Sequence, residues 1–316
     1  MPARWFICPD GHEIEIQECL KNGGCRLKNR CATRPYLRLI GFDREWKGVS
    51  PSSAGNGPRL LYLKATEDYS IDPNDRVWAA FGTSTHDKLG MFKYTHNVLS
   101  EERLSDEDMR GIPDVLEEDE DRKGFYILTD YKTWGSFKVT KALGMKTVKE
   151  TIELKDDDGE PLLLKSGPNK GKPKTKQESK IIQGEPDLIS EELQINRYRI
   201  FFEGYGFPIS RMQIQVVSRD GGTYIAKNRG IDKNLYVIPV RFIDDSKVLT
   251  FYQILQTEID KAFETGTARL CDKWESWEGR RCDGYCEVSE YCKQMEGEHG
   301  EPKNTHGNME QAQAAA

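Results

Sequence analysis

Residues 124–136 of the chain, GFYILTDYKTWGS, read as an apolar β-strand that follows a glycine and ends in polar residues. Side chains alternate between the two faces of a strand, so Asp130 and Lys132 point to the same side, roughly 6–7 Å apart. Tyr131 lies between them on the opposite face. The strand therefore presents a carboxylate beside an ammonium group, either as a solvated ion pair or as part of a metal-dependent site.

A second strand precedes this one, and the two are predicted to pair as a β-hairpin within residues 110–134. The segment GIPDVLEED is followed by the turn-like EDRKG and then by the strand FYILTDYKT. If the turn centres on Arg122, the numbers of facing residues add up to 244. Asp114 then lies opposite Asp130, and two carboxylates converge with Lys132.

Two predicted helices contribute further polar side chains. Asp72 is followed by a proline, which is typical of a helix start, and we expect this helix to be interrupted at Gly82 and to resume just before His86. A second, amphipathic helix is predicted in LISEELQINRYRIFFEGYG, where Gln194 and Tyr198 stand one turn apart on one face.

Each of these residues also has a purely structural interpretation. His86 could be a helix-surface histidine, Asp114 a turn acid, and Gln194 with Tyr198 a helix face that only packs. The pattern Gly-x-x-Asp recurs in GEPD, but that aspartate, Asp187, opens a helix, where N-capping accounts for it.

The order of these elements along the chain is the more specific signal. It runs from His86 to Asp114 in GIPD, to Asp130 and Lys132 in DYKT, and to Gln194 and Tyr198 in QINRY. This order resembles the RecB-type branch of the PD-(D/E)XK nuclease superfamily, over about residues 75–210. The resemblance implies an α/β fold with a mixed central β-sheet flanked by helices, which is a restriction-endonuclease-like core.

The resemblance also implies a role for each residue. Hydrolysis of a phosphodiester at neutral pH uses a hard cation, for which carboxylates are natural ligands. Asp114, Asp130, His86 and the main-chain carbonyl of Tyr131 would hold Mg²⁺ or Mn²⁺, and an imidazole in the set favours Mn²⁺ somewhat. Lys132 would orient the water or stabilise charge on the phosphate. By the same resemblance, Gln194 and Tyr198 would position DNA.

The eight cysteines fall into two groups at the ends of the chain, and residues 32–270 contain none. Without an export signal, metal or cluster ligation explains them better than disulfide bonds. The run RRCDGYCEVSEYC resembles the C-terminal ligand run of iron–sulfur nucleases related to AddB and to the CRISPR adaptation nucleases. In those relatives a further, distant cysteine precedes an aromatic-leucine pair, and here Cys31 in CATRPYL has that setting.

Two groupings of the cysteines are open. The resemblance groups Cys31 with Cys282, Cys286 and Cys292 around a 4Fe-4S cluster. Cys8, His12, Cys19 and Cys25 would then form a zinc site, and Cys271 would belong to neither. Proximity in the chain instead predicts two sites of four cysteines, with zinc at the N-terminal one and a cluster or zinc at the C-terminal one. The sequence favours the first grouping. In that grouping a cysteine-clamped lobe joins the two ends of the chain.

Length and composition indicate which classes of protein could carry these sites. The chain has 316 residues, of which 37% are hydrophobic and 31% charged, so it can bury a sizeable core. The formal net charge of −6 argues against a protein that coats polyanions generally, but it leaves room for a local basic groove. No apolar run or leader pattern indicates a membrane span or secretion, so we expect a cytoplasmic protein, bacterial or phage-type, in the bacterial or infected-host cytosol.

The predicted organisation has four segments. They are a cysteine-rich metal-binding knuckle (1–35), a nuclease core (36–265) with a Lys-rich insertion (144–184), a cysteine-rich segment (266–296) and a disordered tail (297–316).

We expect a metal-dependent DNA nuclease, and by resemblance an exonuclease that acts on single-stranded or duplex DNA ends. A structure-specific endonuclease or a non-catalytic DNA-binding metalloprotein are the alternatives. A recombination-type or CRISPR-type protein partner and an oligomer are both compatible with the resemblance, and no membrane partner is expected.

Overall fold

The structure is a computed structural model that describes residues 3–42, 46–92 and 98–299. The predicted disordered tail lies outside the described residues from position 300 onwards.

The helices of the described residues are, in chain order, α1 (Ile16–Leu20), α2 (Arg34–Gly41), α3 (Pro58–Thr66), α4 (Val77–Gly90), α5 (Ser136–Ala142), α6 (Ile189–Gly204), α7 (Tyr224–Lys227), α8 (Asp245–Thr265) and α9 (Ser289–His299). A short 3₁₀ helix, Pro51–Ser53, precedes α3.

The strands are β1 (Trp5–Ile7), β2 (Glu13–Glu15), β3 (Ser70–Ile71), β4 (Val98–Ser100), β5 (Leu104–Ser105), β6 (Arg110–Gly111), β7 (Val115–Glu118), β8 (Tyr126–Trp134), β9 (Met145–Glu153), β10 (Thr175–Gln183), β11 (Ile209–Ser218) and β12 (Leu235–Val240).

The principal sheet has the strand order β12-β11-β8-β7-β4, and a smaller sheet has the order β2-β1-β3. In the smaller sheet β1 pairs antiparallel with β2 and parallel with β3. Helix α8 packs against α3 and α6. The architecture is therefore α/β with mixed sheets flanked by helices, as the sequence predicts.

The predicted hairpin is confirmed. Strand β7 pairs antiparallel with β8, with Val115 opposite Thr129 and Glu118 opposite Tyr126. These numbers add up to 244, which is the register expected for a turn centred on Arg122. Within the turn, the Phe125 amide donates to the Arg122 carbonyl at 2.9 Å.

The helix that carries His86 differs from its prediction at two points. It begins at Val77 rather than at Asp72, because residues 73–76 form turns whose amides bond to the Asp72 carbonyl and carboxylate. It also continues through Gly82 without interruption, since a single glycine costs a helix only about 1 kcal/mol. Helix α6 ends at Gly204, inside the segment that the sequence predicts to be helical.

The chain divides into two compact units. The first comprises residues 1–130, 189–213 and 239–316, and the second comprises residues 131–188 and 214–238. The division falls inside strands β8, β11 and β12. Both cysteine-rich segments belong to the first unit.

A hydrophobic cluster joins the two ends of the chain in the first unit. Phe6 and Leu37 from the N-terminal segment pack in the same cluster as Ala268 and Val288 from the C-terminal one. Nearby, the Tyr291 hydroxyl donates to the Asp68 carbonyl at 2.7 Å. Apolar burial therefore holds the two ends of the chain together.

In the second unit, the Lys-rich insertion forms a long antiparallel ribbon. Strand β9 pairs with β10 from Met145 opposite Gln183 to Glu153 opposite Thr175. Further bridges join Lys155 to Pro161 and Leu163 to Pro173. At its base, Met145 and Ile181 contact Gly230, where an added Cβ would come within 2.9 Å of the Met145 sulfur.

Candidate functional site

Three side chains in the first unit form a compact cluster of metal-binding atoms. His86 Nδ1 lies 3.2 Å from Asp114 Oδ1 and 3.5 Å from Glu101 Oε1. One ligand atom from each residue lies within 4.8 Å of the other two, and among the described residues no other group of three or more His, Cys, Asp or Glu side chains meets this criterion. The arrangement can surround a single ion.

Strand pairing brings the two acids of this cluster together. Ser100 lies opposite Val115 in the β4–β7 pair, so the next pair in register is Glu101 opposite Asp114. The Glu101 amide donates to the Asp114 carbonyl at 3.0 Å. Glu101 has a φ of +56°, a left-handed conformation that is uncommon for a residue with a side chain and is enriched at functional sites.

Asp130 extends this acidic surface to strand β8. Continuing the β7–β8 register by one residue places Asp114 opposite Asp130, as the sequence predicts. Asp130 is only 3% exposed, and its Oδ1 accepts a hydrogen bond from Gln194 Nε2 at 3.3 Å. Gln194 therefore fixes the orientation of this buried carboxylate.

Tyr198 lies beside the same carboxylates. Burial raises the pKa of its hydroxyl well above the ordinary value, and the charges of Asp130, Asp114 and Glu101 raise that pKa further. Gln194 shares a hydrogen bond with Tyr198, which acts in the opposite direction. Helix α6 therefore places both predicted DNA-positioning residues at the acidic site.

Packing explains why position 111, the first residue of GIPD, is a glycine. A Cβ on Gly111 would lie 2.6 Å from the Tyr198 ring and 3.0 Å from Pro51. Because real Cβ atoms do not approach that closely, only glycine lets the chain pass between the tyrosine ring and Pro51 just before Asp114.

The structure brings together His86, Asp114, Asp130, Gln194 and Tyr198 from separate elements. Tyr131 and Lys132 follow Asp130 on β8 and are half-buried, in the part of that strand that belongs to the second unit. The competing Asp187 lies in the second unit, paired with Lys141 at 2.8 Å.

Sequence reasoning missed Glu101. No motif marks this residue, and only the pairing of β4 with β7 brings it to Asp114. Burial raises the pKa of Glu101, and the charge of Asp114 raises it further, while His86 lowers it. A cation bound beside Glu101 would favour its ionised form. Carboxylate oxygens with one imidazole suit Mn²⁺ or Mg²⁺, so the residues present fit the expected metal.

The N-terminal cysteines form a second cluster in the first unit. Cys8, Cys19, Cys25 and Cys31 line one pocket, together with Arg26 and Arg30. Burial raises the pKa of the Cys8 thiol, and the charges of Cys19, Cys31 and Cys25 raise it further, while Arg26 lowers it. Each of these sulfurs is therefore near enough to Cys8 to affect its ionisation.

This pocket favours the second grouping of the cysteines. Cys31 lines it with the other three N-terminal cysteines, as the grouping by proximity predicts. His12 is not among the residues that line the pocket. It is largely exposed, and its Nδ1 lies 3.5 Å from Asp10. The cause is local: the turn after Cys8 directs His12 away while the loop before α2 brings Cys31 in.

The C-terminal cysteines gather around two arginines. Arg59 Nη1 lies 3.8 Å from Cys292 Sγ. Burial lowers the pKa of Arg281, and nearby Cys271, Cys286 and Cys282 act to raise it.

Cys271 is the most perturbed thiol of this set, since burial, together with the charge of Glu275, raises its pKa to about 12. It also contacts Gly57, where an added Cβ would be 2.8 Å from the sulfur. None of the eight cysteines, all of which lie in the described residues, forms a disulfide bond.

Comparison with known proteins adds no assignment: no family model matches the chain, and a search of curated proteins finds no match. Within the described part of the chain, no helix combines the length and apolar character needed to cross a membrane.

Proposed function

We propose that the chain is a metal-dependent DNA nuclease whose hard-cation site consists of His86, Glu101, Asp114 and Asp130. The observation that carries this proposal is the His86–Glu101–Asp114 cluster, with ligand atoms within 4.8 Å of one another at the start of β7. The confirmed β7–β8 register adds Asp130 to the same surface. When bound there, the cation would polarise a phosphodiester and lower the pKa of the attacking water.

The remaining residues would act on the substrate. Gln194 orients the Asp130 carboxylate through its hydrogen bond, and the Tyr198 hydroxyl at the same site would donate to a phosphate oxygen. Because burial and three carboxylates keep the tyrosine protonated, it remains a hydrogen-bond donor at neutral pH. The role of Lys132, which is to stabilise negative charge on the phosphate, rests on its place two residues after Asp130.

The proposal includes a preference for DNA ends, which rests on the sequence resemblance. Protein purified without oxygen is assayed with Mn²⁺ on end-labelled single-stranded DNA, end-labelled duplex and covalently closed circular duplex. We expect both linear substrates to be degraded and the circle to stay intact. Cleavage of the circle with no dependence on ends would replace the exonuclease by an endonuclease.

Matched variants test the site itself. Asp114→Asn removes a ligand charge with little change in shape. Glu117→Gln makes the same change on the same strand, three residues away and therefore on the opposite face, where the side chain is exposed. We expect loss of cleavage in the first variant and wild-type cleavage in the second. Equal turnover in the two variants would overturn the proposal.

We also propose that Cys271, Cys282, Cys286 and Cys292 hold a 4Fe-4S cluster, with zinc as the alternative. Thiolates select such groups over hard cations, and Arg59 and Arg281 supply positive charge beside the four sulfurs. Iron analysis and visible absorption of anaerobically purified protein distinguish the two metals. The Cys286→Ala variant should lose the metal and melt at a lower temperature, whereas a metal-free wild-type protein would refute this site.

A further inference from the structure

The N-terminal pocket is a second cysteine site, and its backbone is folded around the sulfurs. Cys8 ends β1 and opens a tight turn, in which the Cys8 amide donates to the His12 carbonyl at 2.7 Å and the Gly11 amide donates to the Cys8 carbonyl at 2.8 Å. Gly11 has a φ of +81°, which this turn requires. The turn leaves Cys8 facing the pocket and His12 outside it.

The next two cysteines are placed by a helix and a close chain approach. Cys19 is on α1 and is 8% exposed. A Cβ on Gly24 would lie 2.0 Å from the Glu18 carbonyl oxygen, so only glycine allows the chain to return against α1. Cys25 follows directly and opens a turn closed by the Lys28 amide, which donates to the Cys25 carbonyl at 3.1 Å.

Arg30 secures the fourth cysteine. Its guanidinium donates to the Cys19 carbonyl and to the Lys21 carbonyl, the latter at 2.7 Å, which ties the residue before Cys31 to the end of α1. The apolar wall of the pocket is formed by Ile14 and Leu37, which belong to the hydrophobic cluster described above. Four cysteines thus line one pocket with an apolar floor, and an ion would have to draw their sulfurs closer, since no three of these sulfurs lie within 4.8 Å of one another.

We propose that Cys8, Cys19, Cys25 and Cys31 bind a structural Zn²⁺ ion, independent of the C-terminal cysteines and of the nuclease site. Four thiolates form a closed tetrahedral set that is typical of structural zinc, and the pocket lining contains no carboxylate or imidazole. Such a centre would carry a net charge of about −2, which Arg26 and Arg30 partly offset.

The segment that carries these cysteines is small, and a bound ion would help it to fold. The strands and helices around the pocket are only three to eight residues long. Segments of fewer than about 40 residues rarely hold such short elements by apolar burial alone, and a metal commonly supplies the rest. The ion would therefore order residues 8–31 on the hydrophobic cluster.

Metal content of the untagged full-length chain tests the proposal. We expect about one zinc per chain in the wild type, loss of that zinc in Cys25→Ser and in Cys31→Ser, and wild-type zinc in His12→Ala, Cys282→Ser and Asp130→Ala. The pair Cys31→Ser and His12→Ala decides the ligand set, because one residue lines the pocket and the other does not. Asp130→Ala separates this site from the nuclease, since cleavage should fail while zinc stays bound.

Alkylation of wild-type protein provides a second measurement that needs no folded variant. Cys31 is exposed, so a free thiol there would react quickly with iodoacetamide. We expect Cys8, Cys19, Cys25 and Cys31 to be protected together and to become reactive together when a chelator removes zinc. Rapid alkylation of Cys31 before chelation would overturn the proposal. The proposal would also be overturned if both serine variants kept their zinc, or if His12→Ala lost zinc and Cys31→Ser did not. It would equally be overturned if the serine variants lost iron in place of zinc.

Discussion

The acidic site and the N-terminal cysteine pocket lie in the same unit but are held in different ways. Glu101 follows β4, Asp114 precedes β7 and Asp130 lies in the middle of β8, and the pairing of these strands places the three acids next to one another. The cysteines stand in turns and one short helix, placed by glycine conformations and by Arg30. The difference teaches that a sheet can position hard ligands before any ion binds, whereas the thiol site needs support from its surroundings.

The largest expected effect is on the stability of the fold, and it comes from removing a side chain of the hydrophobic cluster under the cysteine pocket. Phe6 is 1% exposed in the hydrophobic cluster, and a Cβ on Gly41 would be 2.9 Å from its ring. Phe6→Ala should lower the free energy of unfolding by about 3–5 kcal/mol, because it opens a cavity between the two ends of the chain. Urea unfolding measures the change.

The same variant sharpens the comparison. Zinc should leave Phe6→Ala at a lower chelator concentration than the wild type, while Mn²⁺ affinity stays unchanged. If both metals were lost equally, the two sites would depend on the same packing and the contrast between them would fail.

The second effect concerns catalysis. Asp130→Ala and Lys132→Ala should each reduce cleavage on the order of 10²-fold or more, because they remove a metal ligand and a charge that stabilises the transition state. Folding and DNA binding should stay nearly intact, as judged by thermal melting and by binding to labelled DNA without metal. Lys123→Ala, a change in the exposed turn of the same hairpin, is the control and should cleave normally.

How far each site could be predicted from the sequence depends on whether local or tertiary contacts position its residues. The register of the hairpin could be calculated from one turn and is confirmed, and its extension by one residue places Asp114 opposite Asp130. Glu101 was not predictable, because pairing of β4 with β7 is set by tertiary packing and no local signal marks it.

The cysteine grouping was not predictable for a related reason. Cysteine spacing shows that thiols are available but does not show which loops meet. The structure places Cys31 in the pocket of the N-terminal cysteines, and it places His12, a predicted zinc ligand, outside that pocket because one turn directs it outward. The start of α4 was misplaced for the same kind of reason, since Asp72 closes a turn ahead of the helix.

A smaller effect is expected at Glu101. Glu101→Gln removes one charge from the cluster without removing its oxygen, so the Mn²⁺ concentration for half-maximal cleavage should rise by about 10–100-fold. Cleavage at saturating Mn²⁺ should change less. An unchanged requirement for Mn²⁺ would remove Glu101 from the ligand set and leave the site as the sequence predicts it.

The smallest effect is expected at the ribbon formed by β9 and β10, which contains none of the proposed metal ligands. The six lysines in residues 165–180 are exposed, and if they follow the DNA backbone their replacement should flatten the salt dependence of binding. Each lost phosphate contact on duplex DNA should reduce the log–log slope by about 0.9. The same slope after all six replacements would mean that the ribbon does not contact DNA.

The most direct test of the acidic site is a titration of zinc-replete protein with Mn²⁺, followed by calorimetry or by the loss of the free-ion electron paramagnetic resonance signal. We predict saturable binding to the wild type and to Glu117→Gln, and affinity at least about tenfold weaker in Asp114→Asn and His86→Ala. Wild-type affinity in both of these variants, or no saturable binding to the wild type, would contradict the account.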